Sequence, residues 1–248
     1  MKEFNTFTEA HTCKDTLKAF RELSAKLGLD DIPHEQFFEK LKSGLVNWKI
    51  KRFLDQLQKR FTSKTLNGDA TKVLVVGAGP CGLRLAIETA FMGCKVILID
   101  KRDAFTRNNV LHLWPFTVTD LKNIGIKHFF GKFCQGELNH ISIRRLQICL
   151  MKIALVLGVE VHTKVEFEGL QCPQKNGGTG WKAVCKPHNH KVSYFEFEVL
   201  VAATGARDAL CEYKLRFENG TVTKQGYYIS NKYFKVDKYS VDNIVFLL

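Results

Sequence analysis

The sequence predicts an α/β fold built on a parallel sheet, with helices ahead of it, and three observations carry that reading. A β-branched run, Val73, Val75 and Val76, leads straight into Gly77-Ala78-Gly79-Pro80-Cys81-Gly82, glycines spaced G-x-G-x-x-G. Apolar residues then recur at helical spacing (Leu83, Ala86, Ile87, Ala90, Phe91). Val96–Ile99 forms a second apolar strand, which ends at Asp100. Strand, turn, helix and strand in this order make specific a glycine pattern that is weak alone. Gly77 permits the tight turn, Gly79 lets a pyrophosphate approach backbone, and Gly82 lets helix and strand pack closely. The helix N-terminus offers free N–H groups and the positive end of its dipole to phosphate. Asp100 stands where a carboxylate accepts hydrogen bonds from an adenosine ribose. A bare βαβ unit with a glycine-rich turn contains the same letters, but spacing and acid together favour a dinucleotide site in a Rossmann-like domain.

The other elements follow in chain order. Residues 1–62 read as helices: Leu17, Phe20, Leu23 and Leu27 keep helical spacing up to Gly28. Phe37, Phe38, Leu41, Leu45 and Trp48, then Phe53, Leu54 and Leu57, repeat the pattern and read as core. Asn67-Gly68-Asp69 marks a turn into the first strand. Asp103–Phe116 has no period and reads as a loop, with His112 and Trp114 as packing groups. Short helical pieces at Thr119–Ile124 and His128–Phe133 flank Gly125. Ile141–Leu157 reads as a strong helix and Val159–Phe167 as one strand. After the turn-rich Gln171–Thr179, Trp181–Lys186 and Tyr194–Ala202 read as an antiparallel pair, and Asn219-Gly220 is a hairpin signal. The expected division is a helical extension at 1–65, a dinucleotide-binding domain at 70–210 and a diverged segment at 211–248.

Composition narrows the partners. The 248 residues are 45% hydrophobic with 19 phenylalanines, as in a globular protein. The net charge of +12, from 37 basic against 25 acidic side chains, favours an anionic partner. The excess is dispersed, in small clusters such as Lys49–Arg52, Lys101-Arg102 and Arg144-Arg145, so a solvated surface accounts for it equally. Neither nucleic acid binding nor membrane insertion is expected, and Met1–Thr12 is too polar for a signal peptide. The 8 cysteines show no C-x-x-C and no zinc spacing, so no metal is expected and the compartment reads as reducing, cytosolic or nuclear. Cys81, Cys94 and Cys149 read as small hydrophobes in apolar context.

Two stretches add a family. Lys101-Arg102-Asp103-Ala104-Phe105-Thr106-Arg107-Asn108-Asn109-Val110-Leu111-His112-Leu113-Trp114-Pro115-Phe116 resembles the MICAL flavoprotein monooxygenases, and so does His140-Ile141-Ser142-Ile143-Arg144-Arg145-Leu146-Gln147. The resemblance begins in the N-terminal helices and is continuous from Lys72 to Leu200. It implies a p-hydroxybenzoate-hydroxylase-type FAD domain that uses NADPH and O₂ to oxidise methionine side chains of F-actin, in the cytoplasm on the cytoskeleton, with the nucleus as a further location. It also implies FAD contacts at Cys81, Asp100, Lys101, Arg102, Arg107, Asn108 and Asn109, beside the motif glycines Gly77, Gly79 and Gly82. Asn109 is the residue expected nearest the isoalloxazine and the one assigned a catalytic place. Phe167 matches a position where backbone approaches adenine, with its side chain in the core. Arg144 faces the flavin from its helix start, or belongs with Arg145 to a solvated face.

The pattern departs after Leu200. Flavin hydroxylases of this type carry Ala-Asp-Gly where this chain has Ala203-Thr204-Gly205, and Cys211–Gly226 does not match the family. Asn231–Phe234 and Val241–Val245 faintly resemble a later stretch, so the FAD domain reads as incomplete. Two readings stand: a truncated or diverged FAD monooxygenase, and a non-catalytic module of the same fold that engages actin or a full-length relative.

Overall fold

The computed structural model describes residues 2–30, 32–61, 70–134, 139–171 and 180–205, with short strands at 228–229, 232–233 and 244–246. The turns at Asn67-Gly68-Asp69 and Asn219-Gly220, Cys172, Cys211 and most of 211–248 lie outside the described residues.

Four helices open the chain: α1 (Lys2–Glu9), α2 (Cys13–Leu27), α3 (His34–Gly44) and α4 (Trp48–Gln58). The Thr12 hydroxyl accepts the Asp15 N–H to start α2, and Gly28 ends it with φ 62°, a left-handed cap that suits glycine. Phe4, Phe7, Phe20, Leu23, Leu41, Phe53 and Leu57 are buried in one cluster with residues of the sheet. Trp48 is a correction: it is 66% exposed, not core. It is the first residue of α4, outside the stripe of Ile50, Phe53, Leu54 and Leu57, and the Lys49 ammonium lies over its ring at 5.5 Å.

The Rossmann-like core follows. β1 (Lys72–Val76), α5 (Pro80–Phe91) and β2 (Lys95–Asp100) form the βαβ unit. After an irregular stretch come β3 (Val110–His112), α6 (Pro115–Asn123), α7 (Ile126–Phe129), β4 (His140–Ser142) and α8 (Ile143–Val156). β5 (Glu160–Thr163) returns to the sheet; β6 (Glu166–Gln171), β7 (Trp181–Lys186) and β8 (Glu196–Phe197) form a three-stranded antiparallel layer. β9 (Val199–Ala202) pairs parallel to β1. β10 (Tyr228–Ile229) and β11 (Lys232–Tyr233) make an antiparallel ribbon, and β12 (Ile244–Phe246) pairs parallel with β9. The central sheet runs β12-β9-β1-β2-β5.

The alternation of a strand puts successive side chains on opposite faces. Val73, Val75, Val96 and Leu98 face the helices, whereas Leu74, Val76, Ile97 and Ile99 face a second core with Val165, Phe167, Ala183, Cys185 and Phe197. The sheet is therefore covered on both sides, by helices on one and by β6-β7-β8 on the other, as parallel sheets require.

Other expectations need correcting. The single strand at Val159–Phe167 is two strands in two sheets, because Lys164 takes φ 61° and turns the chain out of the parallel sheet. Tyr194–Ala202 divides likewise: Phe197 pairs with β7, while Val199–Ala202 becomes a central parallel strand. The loop at Asp103–Phe116 contains β3, antiparallel to β4. His112 is exposed with its ring 4.9 Å from that of His140, and Trp114 is 67% exposed, so neither lies in the core. Cys81 is exposed at the start of α5, while Cys94 and Cys149 are buried.

Candidate functional site

The turn after β1 is held by hydrogen bonds to its own chain. Gly77 N–H donates to the Ile99 carbonyl at 2.7 Å, and Ala203 N–H donates to the Val76 carbonyl at 2.7 Å. Asp100 Oδ2 accepts the Ala78 N–H at 2.8 Å, and its Oδ1 accepts the Arg102 N–H at 2.8 Å. The Ala78 carbonyl accepts Gln147 Nε2 from α8 at 2.8 Å. Asp100 and Gln147 are only 6% and 5% exposed, so these are desolvated bonds whose loss leaves an unpaired buried group. Asp100, expected at a ribose, thus first organises the glycine turn.

The three glycines are needed for different reasons. Gly77 has φ 111°, and a Cβ there would lie 2.4 Å from the Ala203 carbonyl oxygen. A Cβ on Gly82 would lie 2.1 Å from the Gly77 carbonyl oxygen. Gly79 differs: φ −69° and ψ 169° suit any residue, and a Cβ would meet nothing closer than the Ala203 oxygen at 3.8 Å. Neither strain nor the chain's own atoms require glycine there. The room it leaves is at the N-cap of α5, where no side chain caps the free N–H groups and Pro80 occupies the first turn. Open space beside uncapped amides fits the pyrophosphate of a dinucleotide.

The structure spreads the remaining expected residues. Arg102 Nε lies 3.4 Å from Asp100 Oδ1, whereas Lys101 turns to Glu166 at 3.2 Å. Lys14 and Lys164 bond Asp103 and hold its carboxyl below the usual range, which ties α2 to the loop after β2. Arg107, Asn108 and Asn109 are exposed in an irregular stretch. Asn109 is fixed at its backbone: its carbonyl accepts the Ile143 N–H, at the first position of α8, at 2.9 Å. Gln147 lies one turn further along the same helix. Phe167 is 7% exposed, with its side chain in the second core.

Sequence reasoning missed Gln147 as a site residue. The available signal is a lone amide in the otherwise apolar, fully buried run Leu146–Val156, which only Lys152 also breaks. Lys152 is explained by α1, since its ammonium donates to the carbonyls of Thr8 at 2.6 Å and Ala10 at 2.7 Å.

Known proteins resemble this chain in sequence. The FAD binding domain family matches residues 70–133, which contain the glycine turn, Asp100 and Asn109. The human F-actin-monooxygenase MICAL3 is 51% identical over 214 residues, 84% of this chain. The chain belongs to the MICAL family. The human F-actin-monooxygenase MICAL2 is 50% identical over 84% of this chain, and the zebrafish (Danio rerio) protein-methionine sulfoxide oxidase mical3a is 51% identical over 85%. The chain spans about 11% of the length of these MICAL relatives. Among solved structures, CabE, an aromatic hydroxylase from angucycline biosynthesis, is similar at a TM-score of 0.44 and 20% identity, over 58% of this chain and 33% of that one.

The two stretches that resemble MICAL proteins meet in space. β3 pairs with β4, Leu111 opposite Ile141, and the Asn109–Ile143 hydrogen bond closes the end of that ribbon. Among the described residues, no helix is long and apolar enough to cross a membrane, and no group of three or more His, Cys, Asp or Glu side chains is arranged to hold a metal ion.

Proposed function

We propose that this MICAL-family chain binds FAD and serves an NADPH-dependent monooxygenase reaction on methionine side chains of F-actin, in the cytoplasm on the cytoskeleton. The observation that carries the cofactor part is Gly79, a glycine with room for a Cβ, standing beside the uncapped amides of α5. The reaction and substrate come from the relatives, named as F-actin monooxygenases and a methionine sulfoxide oxidase.

In this reading residues 70–210 form the cofactor domain and 1–65 brace it, and within 211–248 the strand β12 completes the edge of the cofactor sheet. Gly77, Gly79, Cys81 and Gly82 take the pyrophosphate. Asp100 holds the turn and offers its remaining lone pairs to the ribose, with Lys101 and Arg102 neutralising phosphate charge. Arg107 and Asn108 line the flavin side with Asn109, whose backbone bond to α8 sets its position. The Phe167 backbone flanks the adenine. Bound FAD supplies the oxygen chemistry; the chain supplies position, charge and exclusion of water. No general acid or base is needed from these residues.

The test is a visible spectrum of the purified chain, with released flavin quantified after denaturation. Near-stoichiometric FAD, followed by NADPH oxidation stimulated by F-actin and methionine sulfoxide on actin, is the expected result. A folded chain still colourless after incubation with FAD overturns it in favour of a non-catalytic module.

A further inference from the structure

A second cavity, about 400 Å³, lies between the end of α1, the β3–β4 ribbon and the first half of α8. Among the described residues its charged and ionisable walls are His11, His140, Arg144, Arg145, Cys149 and Lys152, with no carboxylate. The larger cavity beside β5, of about 570 Å³, has both Asp30 and Glu160 in its walls. The described walls of the two cavities thus differ in charge.

The two arginines stand exposed at a helix N-terminus, a position that favours anions over cations. They occupy the second and third positions of α8, whose first turn contains no acid, so two cations sit at the positive end of a helix dipole. Neither guanidinium bonds a carboxylate among the described residues. Arg145 is held instead over the Phe130 ring at 4.6 Å, which orients its planar fork before any ligand arrives. Val110, next to Asn109 in the chain, forms part of the wall. We propose that this cavity is a phosphate-binding site in which Arg144 and Arg145 grip the phosphate and the N-terminal dipole of α8 assists them.

Phosphate here has two sources, the 2′-phosphate of NADPH or free inorganic phosphate. Binding of NADPH rests on the flavin reading above; binding of inorganic phosphate does not. Calorimetric titration of the whole chain with inorganic phosphate gives the primary test, with FAD content and thermal midpoint measured on each sample. R144Q/R145Q is expected to weaken phosphate binding by about tenfold or more. K49Q/K51Q, which removes the same charge from α4, is expected to stay within about twofold, since neither lysine lines the cavity and both are exposed. Displacement of phosphate by NADPH but not NADH assigns the 2′-phosphate; retention against both assigns free phosphate, and either supports the site. Absence of phosphate binding by the unaltered chain, or equal weakening in both double variants, overturns it. A chain that takes up no FAD yet binds phosphate through these arginines refutes the flavin reading and leaves this site standing.

Discussion

Gln147 Nε2 donates to the carbonyl of Ala78 at 2.8 Å, so one residue of the glycine turn is gripped from both sides: its N–H by Asp100, its oxygen by α8. Ala78 is fully buried, and no solvent replaces a lost partner. Q147M keeps the volume and removes the donor. Urea unfolding is expected to show a loss of about 1–3 kcal/mol, the cost of a buried carbonyl left unpaired, with FAD binding weakened in the same variant. An unchanged midpoint would mean that the turn is held without α8.

Asp100 makes the complementary half of that clamp. In D100N one carboxylate oxygen becomes an NH₂, which points a donor at the N–H of either Ala78 or Arg102. The expected outcome is destabilisation of about 1–3 kcal/mol and FAD affinity reduced at least about tenfold. Flavin retention after gel filtration, alongside a denaturant curve, checks both parts.

The glycines separate folding from binding. G82A places a methyl 2.1 Å from the Gly77 oxygen and is expected to cost on the order of 3 kcal/mol. G79A meets no chain atom closer than 3.8 Å and is expected to melt like the unaltered protein while losing flavin. Paired melting curves and flavin spectra decide; a G79A protein that keeps its FAD would remove the main support for the pyrophosphate position.

His128 gives the fold a pH dependence. Its ring stacks on Phe53 at 4.2 Å with 5° between the planes, and burial there pushes its pKa from 6.5 down to about 4. Between those values the unfolded chain binds the proton that the folded chain refuses. The stability contributed by neutral His128 is thus complete above pH 6.5 and is lost as pH falls toward 4. H128F keeps the stacked ring and is expected to reduce the fall of the thermal midpoint across that window, leaving the part that His34 and His190, also lowered by burial, contribute.

Much of the fold is legible in the sequence because its periodicities are clean. The βαβ unit needs only Val73–Val76, the glycines and Val96–Asp100 to be read. The break between β5 and β6 is not legible, because Lys164, a surface lysine with φ 61°, carries none of the glycine or asparagine chemistry that marks such a turn. β9 has the unbroken apolar run Val199–Ala202 of a central parallel strand, but Tyr194–Phe197 just before it reads as part of the same hairpin. At the site, Asp100 and the glycines are visible from spacing. The backbone tether of Asn109 and the clamp of Gln147 join distant segments and leave no periodic trace.

The position of β9 also fixes when β1 can be enclosed on both edges. β1 receives one neighbour, β2, soon after it is made, but its other neighbour waits for Val199–Ala202. Until then a growing chain carries β1 with an open edge, and Leu74 and Val76 lack their partners Leu200 and Ala202. Closing so long a loop is slow, and an unpaired apolar strand invites association with other chains in the interval. Substitutions at Leu200 or Val201 should therefore reduce the soluble yield from cells more than the melting temperature of the protein that is recovered.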